Sequence, residues 1–370
     1  MRMRTVGASG LKVSAIGLGS LTWGGQTDAR KVRSLVRRFV DAGGNLVDTA
    51  PAYGGGFAEQ LIGKLTHTDI SRDDLVIATK AGFIVEGHKR IVDTSRSALL
   101  RDLEGSLRRL HTDHVDLWQV HAWGDAPIEE TCAALDHAVT SGMARYVGVS
   151  NFVGWQAATA ATWQRATGTR TPLVSNQVEY SLLARRAEIE VVPSAQHHGM
   201  GLLAWSALGR GVLGGRYRHG TPKDSRGGSD RLSWFVQPYL TRKSNAVVEA
   251  IVKAADGLGA TVPQIALAWV RDAPVVASAL VGPRTTSQPK NCSELTRSVF
   301  LRRSPQPSTT SPAGQTSPAK KPRVEELSAR RVAPTESIPD HRKAREDGKS
   351  SLSDPQKPPS SGRSNQPSAR

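Results

Sequence analysis

Cysteine is nearly absent. Cys132 and Cys292 are the only two in 370 residues, which excludes a disulfide framework and suits a reducing compartment. Long apolar runs are absent as well; none approaches the roughly 20 residues needed to cross a bilayer. The opening Met1-Arg2-Met3-Arg4-Thr5-Val6-Gly7 carries two basic residues but no apolar core, so no secretory signal is read there. A soluble, cytoplasmic protein with no membrane partner is the expectation. Acidic residues are in short supply, 33 against 49 basic ones, a formal net charge of +16. From Pro289 onward there are 16 basic and 8 acidic residues, against 33 and 25 in residues 1–288, so each part carries +8. The longer part is therefore only mildly basic. That suits an anionic ligand such as a phosphate-bearing cofactor, and no nucleic-acid motif accompanies the charge.

What the first 282 residues do contain is alternation. Short apolar runs at 16–19, 45–48, 75–79, 115–120, 146–149, 172–177, 201–205 and 275–281 read as buried strands, separated by helix-like stretches. Asp28 is placed to cap a helix over 29–42, where Val32, Leu35, Val36 and Phe39 share a face and Gly43-Gly44 ends it. Further helices are expected over 58–65, 96–110 and 128–141, around Trp155 and Trp163, and near 184–197. Eight such strands argue for a closed (β/α)8 TIM barrel over an open sheet. An enlarged connection, 216–238, rich in Gly, Arg, Ser and Asp, reads as a rim lid. Residues 289–370 hold 12 of the 21 prolines and too few apolar residues to bury, so they read as a Pro/Ser/Arg-rich disordered tail. The expected domains are thus a barrel at 1–288 and a tail at 289–370, with the final barrel helix missing or replaced because Pro289 falls where it should begin.

Asp48, Tyr53, Lys80 and His121 each stand at or just after a strand end. In a parallel barrel those ends meet at one rim, so the four converge. Hydride delivery to a carbonyl leaves negative charge on oxygen that must be met by a proton. A free tyrosine, with a pKa of about 10, is a weak acid, and a neighbouring ammonium is expected to lower that value. Lys80 supplies the ammonium, Asp48 holds Lys80 protonated and oriented, and His121 hydrogen-bonds the carbonyl. Taken singly, each residue has an ordinary alternative: a turn cap, a loop anchor, a solvated lysine, a structural histidine.

The segment Asp48-Thr49-Ala50-Pro51-Ala52-Tyr53-Gly54-Gly55-Gly56-Phe57-Ala58-Glu59-Gln60-Leu61-Ile62-Gly63 resembles the signature of the aldo-keto reductases. Later landmarks resemble that family in order: Thr79-Lys80, Gln119-Val120-His121, Gly148–Phe152, Asn176–Tyr180, Ala204–Gly211 and Val281–Arg284. The resemblance runs from about residue 4 to 288. It implies NADP(H), with NAD(H) not excluded, bound extended across the rim without a glycine-rich dinucleotide fold. It makes Asp48, Tyr53, Lys80 and His121 the tetrad, with Tyr53 as the acid. It assigns the nicotinamide carboxamide to Ser150, Asn151 and Gln177, ring stacking to Tyr180, and the pyrophosphate to Ser206, Leu208 and Gly211. Gly282, Arg284 and Gln288 are assigned to the adenosine end, where the Arg284 guanidinium suits a 2′-phosphate. Trp23, Trp123 and Trp234 are candidate walls for the substrate; no metal is expected.

The expected activity is reduction of an aldehyde or ketone, a small-molecule carbonyl, to the alcohol. Two rivals stand beside it: an NADP(H)-binding regulatory or sensing subunit with little turnover, and an enzyme impaired by loss of its last helix. In the tail, Pro318-Ala319-Lys320-Lys321-Pro322-Arg323-Val324 resembles a localisation or polyanion-binding run; its plain alternative is a solvated charge cluster.

Overall fold

The computed structural model describes residues 1–283, apart from 25–26, 87–88, 167, 169 and 231. Arg284, Gln288, the expected barrel terminus and the 289–370 segment lie outside the described residues.

The chain starts with a hairpin, β1 (Met3–Thr5) and β2 (Lys12–Ser14), followed by β3 (Ile16–Gly19). Next come α1 (Ala29–Asp41), β4 (Leu46–Asp48), α2 (Phe57–Thr68) and β5 (Val76–Ala81). A second hairpin, β6 (Phe83–Glu86) and β7 (Lys89–Val92), leads to α3 (Arg96–Leu110) and β8 (Val115–Val120). The middle of the chain is α4 (Ile128–Thr140), β9 (Ala144–Ser150), α5 (Gly154–Arg165), β10 (Leu173–Glu179), α6 (Val191–His198) and β11 (Gly201–Trp205). The short α7 (Ser233–Val236), then α8 (Arg242–Leu258), α9 (Val262–Arg271) and β12 (Val276–Val281), complete the described chain. Eight parallel strands close in the order β3-β4-β5-β8-β9-β10-β11-β12, which is the (β/α)8 barrel expected from the alternation.

Local chemistry sets the element ends. The Asp28 side chain accepts from Lys31 N at 2.9 Å, satisfying a free donor of the first turn of α1. Val32, Leu35, Val36 and Phe39 bury the inner face of that helix, and Gly43, at φ 78°, turns the chain out of it. Two expectations needed correction. The helix near 184–197 is only Val191–His198; Pro193 sits in its first turn, where no amide donor is needed. The residues before it form a turn in which Arg185 and Tyr180 both bond Glu188. The connection between β11 and β12 is also more than a loop. It carries α8 and α9 and a core of its own around Val212, Leu213, Tyr217, Val236, Val248, Ile251 and Ala266.

Two-residue periodicity builds the barrel interior. Leu46, Ala78, Leu117, Leu203 and Leu280 form an apolar layer, closed from below by Val6, Leu11 and Val13 of the first hairpin. Two residues further along four of those strands, on the same inward face, stand Asp48, Lys80, Gln119 and Trp205. His121 follows Gln119 by two. The apolar layer keeps water away beneath, and the next layer carries the polar groups to the C-terminal rim.

Candidate active site

Lys80 is fully buried, 0% exposed. Its Nζ donates to Asp48 Oδ1 at 2.8 Å, Asp48 Oδ2 at 2.9 Å and the Thr49 carbonyl at 3.0 Å. Gln177 Nε2 adds a bond to Asp48 Oδ1 at 2.7 Å. A buried charge pair is tolerable only when its remaining hydrogen-bonding capacity is met, and here three donors of one ammonium and both oxygens of one carboxylate are engaged. Tyr53 begins a tight turn after β4, in which Gly54, Gly55 and Gly56 take φ of 61°, 63° and 88°. Side chains rarely adopt that left-handed region, so the three glycines allow the chain to fold back and hold the phenol over the pair. Lys80 Nζ lies 5.2 Å from the Tyr53 ring centroid. The His121 ring stands edge-on to Tyr53 at 6.2 Å and 79°, and Phe83 lies 5.0 Å from the His121 ring. The four residues read from strand ends are together.

Their electrostatics depart from expectation in one respect. Burial pushes the Tyr53 phenol above its ordinary value, outweighing the Lys80 charge, which pulls the other way. The phenol therefore stays protonated through neutrality. Burial also opposes the Lys80 ammonium, but Asp48 and then Tyr53 outweigh it, so Lys80 is raised and charged. Burial first, and Lys80 second, hold the His121 imidazole well below 6.5. Its Nδ1 is buried with no hydrogen-bond partner among the described residues.

Asp48, Tyr53 and His121 line a cavity of about 480 Å3. Of the expected cofactor contacts, Ser150, Asn151, Gln177, Ser206, Leu208, Gly211 and Gly282 line it too. Asn151 is tightly placed: its Nδ2 donates to the His121 carbonyl and to Ser150 Oγ, and its Oδ1 accepts from Trp205 Nε1 at 3.0 Å. Asn151, Ser206 and Arg210 take φ of 60°, 53° and 57°. Three non-glycine residues held in the left-handed region on one cavity wall mark a place where the fold imposes its own geometry.

Tyr180 does not reach the cavity. It is 4% exposed, packs on Trp269 with ring centroids 5.2 Å apart, and donates its hydroxyl to Glu188 at 2.9 Å. The cavity aromatic in this region is Trp205, at the end of β11. Its signal was available: inward periodicity from Leu203 leads to 205, whereas Tyr180 falls beyond the end of β10. None of the three tryptophans expected around the substrate lines the cavity. Trp23 is 1% exposed and belongs to the core. Trp123 packs between Phe152 and Trp155, and Trp234 is exposed beside Phe235. Among the lining residues missed are Arg210, Arg216, Tyr217, Ser225, Arg226 and Phe235 of the long connection, with Pro263 and Leu267 of α9. Only the assembled β11–β12 connection brings them to the barrel mouth.

A closed (β/α)8 barrel with a buried lysine–carboxylate pair beneath a tyrosine and a histidine places proton-donating and charge-stabilising groups together at one rim. The chain matches the aldo/keto reductase family model over residues 15–296. It is 35% identical over 301 residues to the uncharacterized oxidoreductase YrpG of Bacillus subtilis, covering 78% of this chain and 89% of that protein. It is 33% identical over 306 residues to the aldo-keto reductase YhdN of the same organism, covering 80% and 89%. A probable voltage-gated potassium channel subunit beta of Arabidopsis thaliana is 34% identical over 296 residues, covering 78% and 89%. This chain belongs to the aldo/keto reductase family, whose members are oxidoreductases that generally use nicotinamide cofactors.

Proposed function

We propose that the protein reduces an aldehyde or ketone to its alcohol with NADPH, and that Tyr53 donates the proton. The observation that carries this reading is the Lys80–Asp48 pair fixed beneath Tyr53, with Tyr53 and His121 on one cavity wall. Bound NADPH supplies the hydride to the carbonyl carbon. The Tyr53 phenol, neutral at physiological pH, gives its proton to the carbonyl oxygen as charge develops there. Lys80 stays charged and stabilises the tyrosinate left behind, and Asp48 keeps the ammonium in place. The neutral His121 imidazole hydrogen-bonds the carbonyl oxygen and sets its approach. Alcohol oxidation is the reverse, with tyrosinate as the base.

The cavity fits a nicotinamide nucleotide by its chemistry. Gly211 and Gly214 sit on the wall where a Cβ would meet nothing within 4 Å, and Ser206, Ser225, Arg216 and Arg226 bring hydroxyls and cations to the same wall. Ser150, Asn151 and Gln177 hold the carboxamide in this reading, Trp205 takes the ring-facing place expected of Tyr180, and Leu208 and Gly282 line the path outward. Preference for NADP(H) over NAD(H) rests on the cationic wall and on Arg284 with Gln288.

The channel-subunit relative favours a second reading, a nucleotide-binding sensor with little turnover. NADPH fluorescence titration of the parent and Tyr53→Phe, followed by turnover of an aldehyde panel, separates the two. Equal binding with kcat reduced on the order of 100- to 10,000-fold in the variant is the expected result. Binding without turnover in the parent selects the sensor, and absence of binding overturns both readings.

A further inference from the structure

The reaction proposed above leaves one buried charge unused. Glu59, in the first turn of α2, is 0% exposed. It lies between helices and barrel, where an aliphatic side chain is the ordinary occupant. Both of its oxygens are engaged: Thr79 Oγ1 donates to Oε1 at 2.6 Å, and Arg109 Nε donates to Oε2 at 2.7 Å. Well-packed apolar residues of similar volume are often as stabilising as a buried ion pair. Placement, rather than stability, is then what this pair contributes.

Its neighbours show what is placed. Side chains alternate along β5, so Lys80 enters the barrel while Thr79 faces the helices and gives its hydroxyl to Glu59. The Tyr53 turn meets the same group from the other side. Between Tyr53 and Phe57 that turn has only glycines, and no side chain of its own to anchor it. A Cβ on Gly56 would lie 2.6 Å from Arg109 Cδ and 2.8 Å from its Nε, so the turn backs directly onto the Arg109 side chain. A Cβ on Gly63 of α2 would lie 2.7 Å from the Arg109 carbonyl oxygen, which seats α2 on the end of α3. Arg109 Nη2 is steadied by Ser106 Oγ at 3.3 Å. One carboxylate thus links the backing of the Tyr53 turn to the strand residue next to Lys80.

We infer that Glu59, held by Arg109 and bonded to Thr79, is a positioning residue that fixes the Tyr53 phenol against the Lys80 ammonium. The inference rests on the carbonyl-reducing reading and deepens it. Glu59, Thr79 and Arg109 do not line the cavity, so they reach the reaction only through Tyr53 and Lys80. Misplacing a reacting group by about 1 Å can cost on the order of 100-fold in rate. Loosening the brace should therefore lower kcat by roughly 10- to 100-fold, with KM for the aldehyde and Kd for NADPH unchanged. With Lys80 further off, the buried phenol loses part of the charge that pulls its pKa down. Alcohol oxidation, which uses the tyrosinate, then sets in at higher pH.

The test compares Glu59→Gln, Thr79→Val and Thr79→Ser with the parent in aldehyde reduction, in the pH profile of alcohol oxidation and in Tm. Glu59→Gln leaves one acceptor where there were two, and Arg109, 27% exposed, can turn to water. Thr79→Val removes only the hydroxyl, and Thr79→Ser keeps it. A lower kcat at constant KM and a pH midpoint moved upward are expected in Glu59→Gln and Thr79→Val, with Thr79→Ser returning both toward the parent. Should Glu59→Gln fail to fold, the two Thr79 variants carry the comparison. A lowered Tm with parental kcat per folded molecule and an unmoved pH profile overturns the inference and leaves the reductase reading intact. If the parent turns over no aldehyde, the reductase reading fails by itself, and NMR of Cζ-labelled tyrosine decides the placement separately. The Tyr53 resonance is identified by its loss in Tyr53→Phe. A titration midpoint raised in Thr79→Val supports the brace, and an unmoved one overturns it.

Discussion

At the scale of single residues, His121 couples the site to pH. Its imidazole is held neutral by burial and by the Lys80 charge, whereas in the unfolded chain it titrates near 6.5. As pH falls below 6.5 the unfolded state takes up a proton that the native state refuses. The stability contributed by the neutral ring is thus complete above about 6.5 and lost as pH falls toward the depressed native value. Between pH 7.5 and 5.5 that loss is about 1 kcal/mol. His198, also lowered by burial, adds a loss of the same sign, so parent and variant must be compared. Urea unfolding at both pH values should show the parent losing about 1 kcal/mol more than His121→Gln. Equal losses would place the proton uptake elsewhere. In the proposed reaction the neutral His121 orients the carbonyl, the protonated Tyr53 gives the proton, and Lys80 keeps its charge.

At the scale of elements, Arg210 ties the long connection to the barrel. Its Nε and Nη2 donate to both oxygens of Glu179 at the end of β10, at 2.8 and 2.7 Å, and its Nη1 donates to the Phe235 carbonyl at 2.8 Å. The guanidinium carbon also lies 4.1 Å from the Phe235 ring centroid and 5.0 Å from that of Tyr239. Arg210→Met leaves the Glu179 carboxylate, 19% exposed, without its counter-charge. We expect a loss of about 2–3 kcal/mol in urea unfolding, below the 3–5 kcal/mol of a fully buried pair, and a raised KM for the cofactor because Arg210 and Phe235 both line the cavity. Unchanged KM would mean that the segment holds its place without this tie. None of it was legible in sequence, because a guanidinium clamp between segments 31 and 25 residues apart has no local signature. The strands and α1 were legible for the opposite reason: Asp28, the Val32–Phe39 stripe and Gly43 all lie within one short stretch. The same local logic found Asp48, Lys80 and His121 at strand ends, whereas the role that the family resemblance implied for Tyr180 fell on a residue where the chain had already left the strand. The signals of α8 and α9 were present but unused. Thr241 accepts from Ser244 N, and Thr261 with Gln264 forms a capping box.

At the scale of the whole molecule, the barrel separates what holds the fold from what performs the chemistry. The first hairpin and the lower layer are apolar and closed, while the polar, charged and strained groups are gathered at the opposite rim. The arginines that line the cavity at that rim, Arg210, Arg216 and Arg226, all come from the β11–β12 connection, a cationic arm of the site. In the proposed reading, a nucleotide bound along that arm touches β9, β10, β11 and the long connection together. Binding should therefore raise global stability. At 100 times Kd the linkage is about 2.7 kcal/mol, which for a domain of this size is a rise in Tm of roughly 5–10 °C. Thermal unfolding with NADP+ and NAD+ at equal concentrations checks this and reads the preference directly. We expect NADP+ to protect more, and Arg226→Ala to reduce its advantage, because a 2′-phosphate needs a cation to offset its desolvation. Equal protection by the two nucleotides in the parent would mean that the cationic wall serves only the pyrophosphate. No protection by either would remove the nucleotide from the arm.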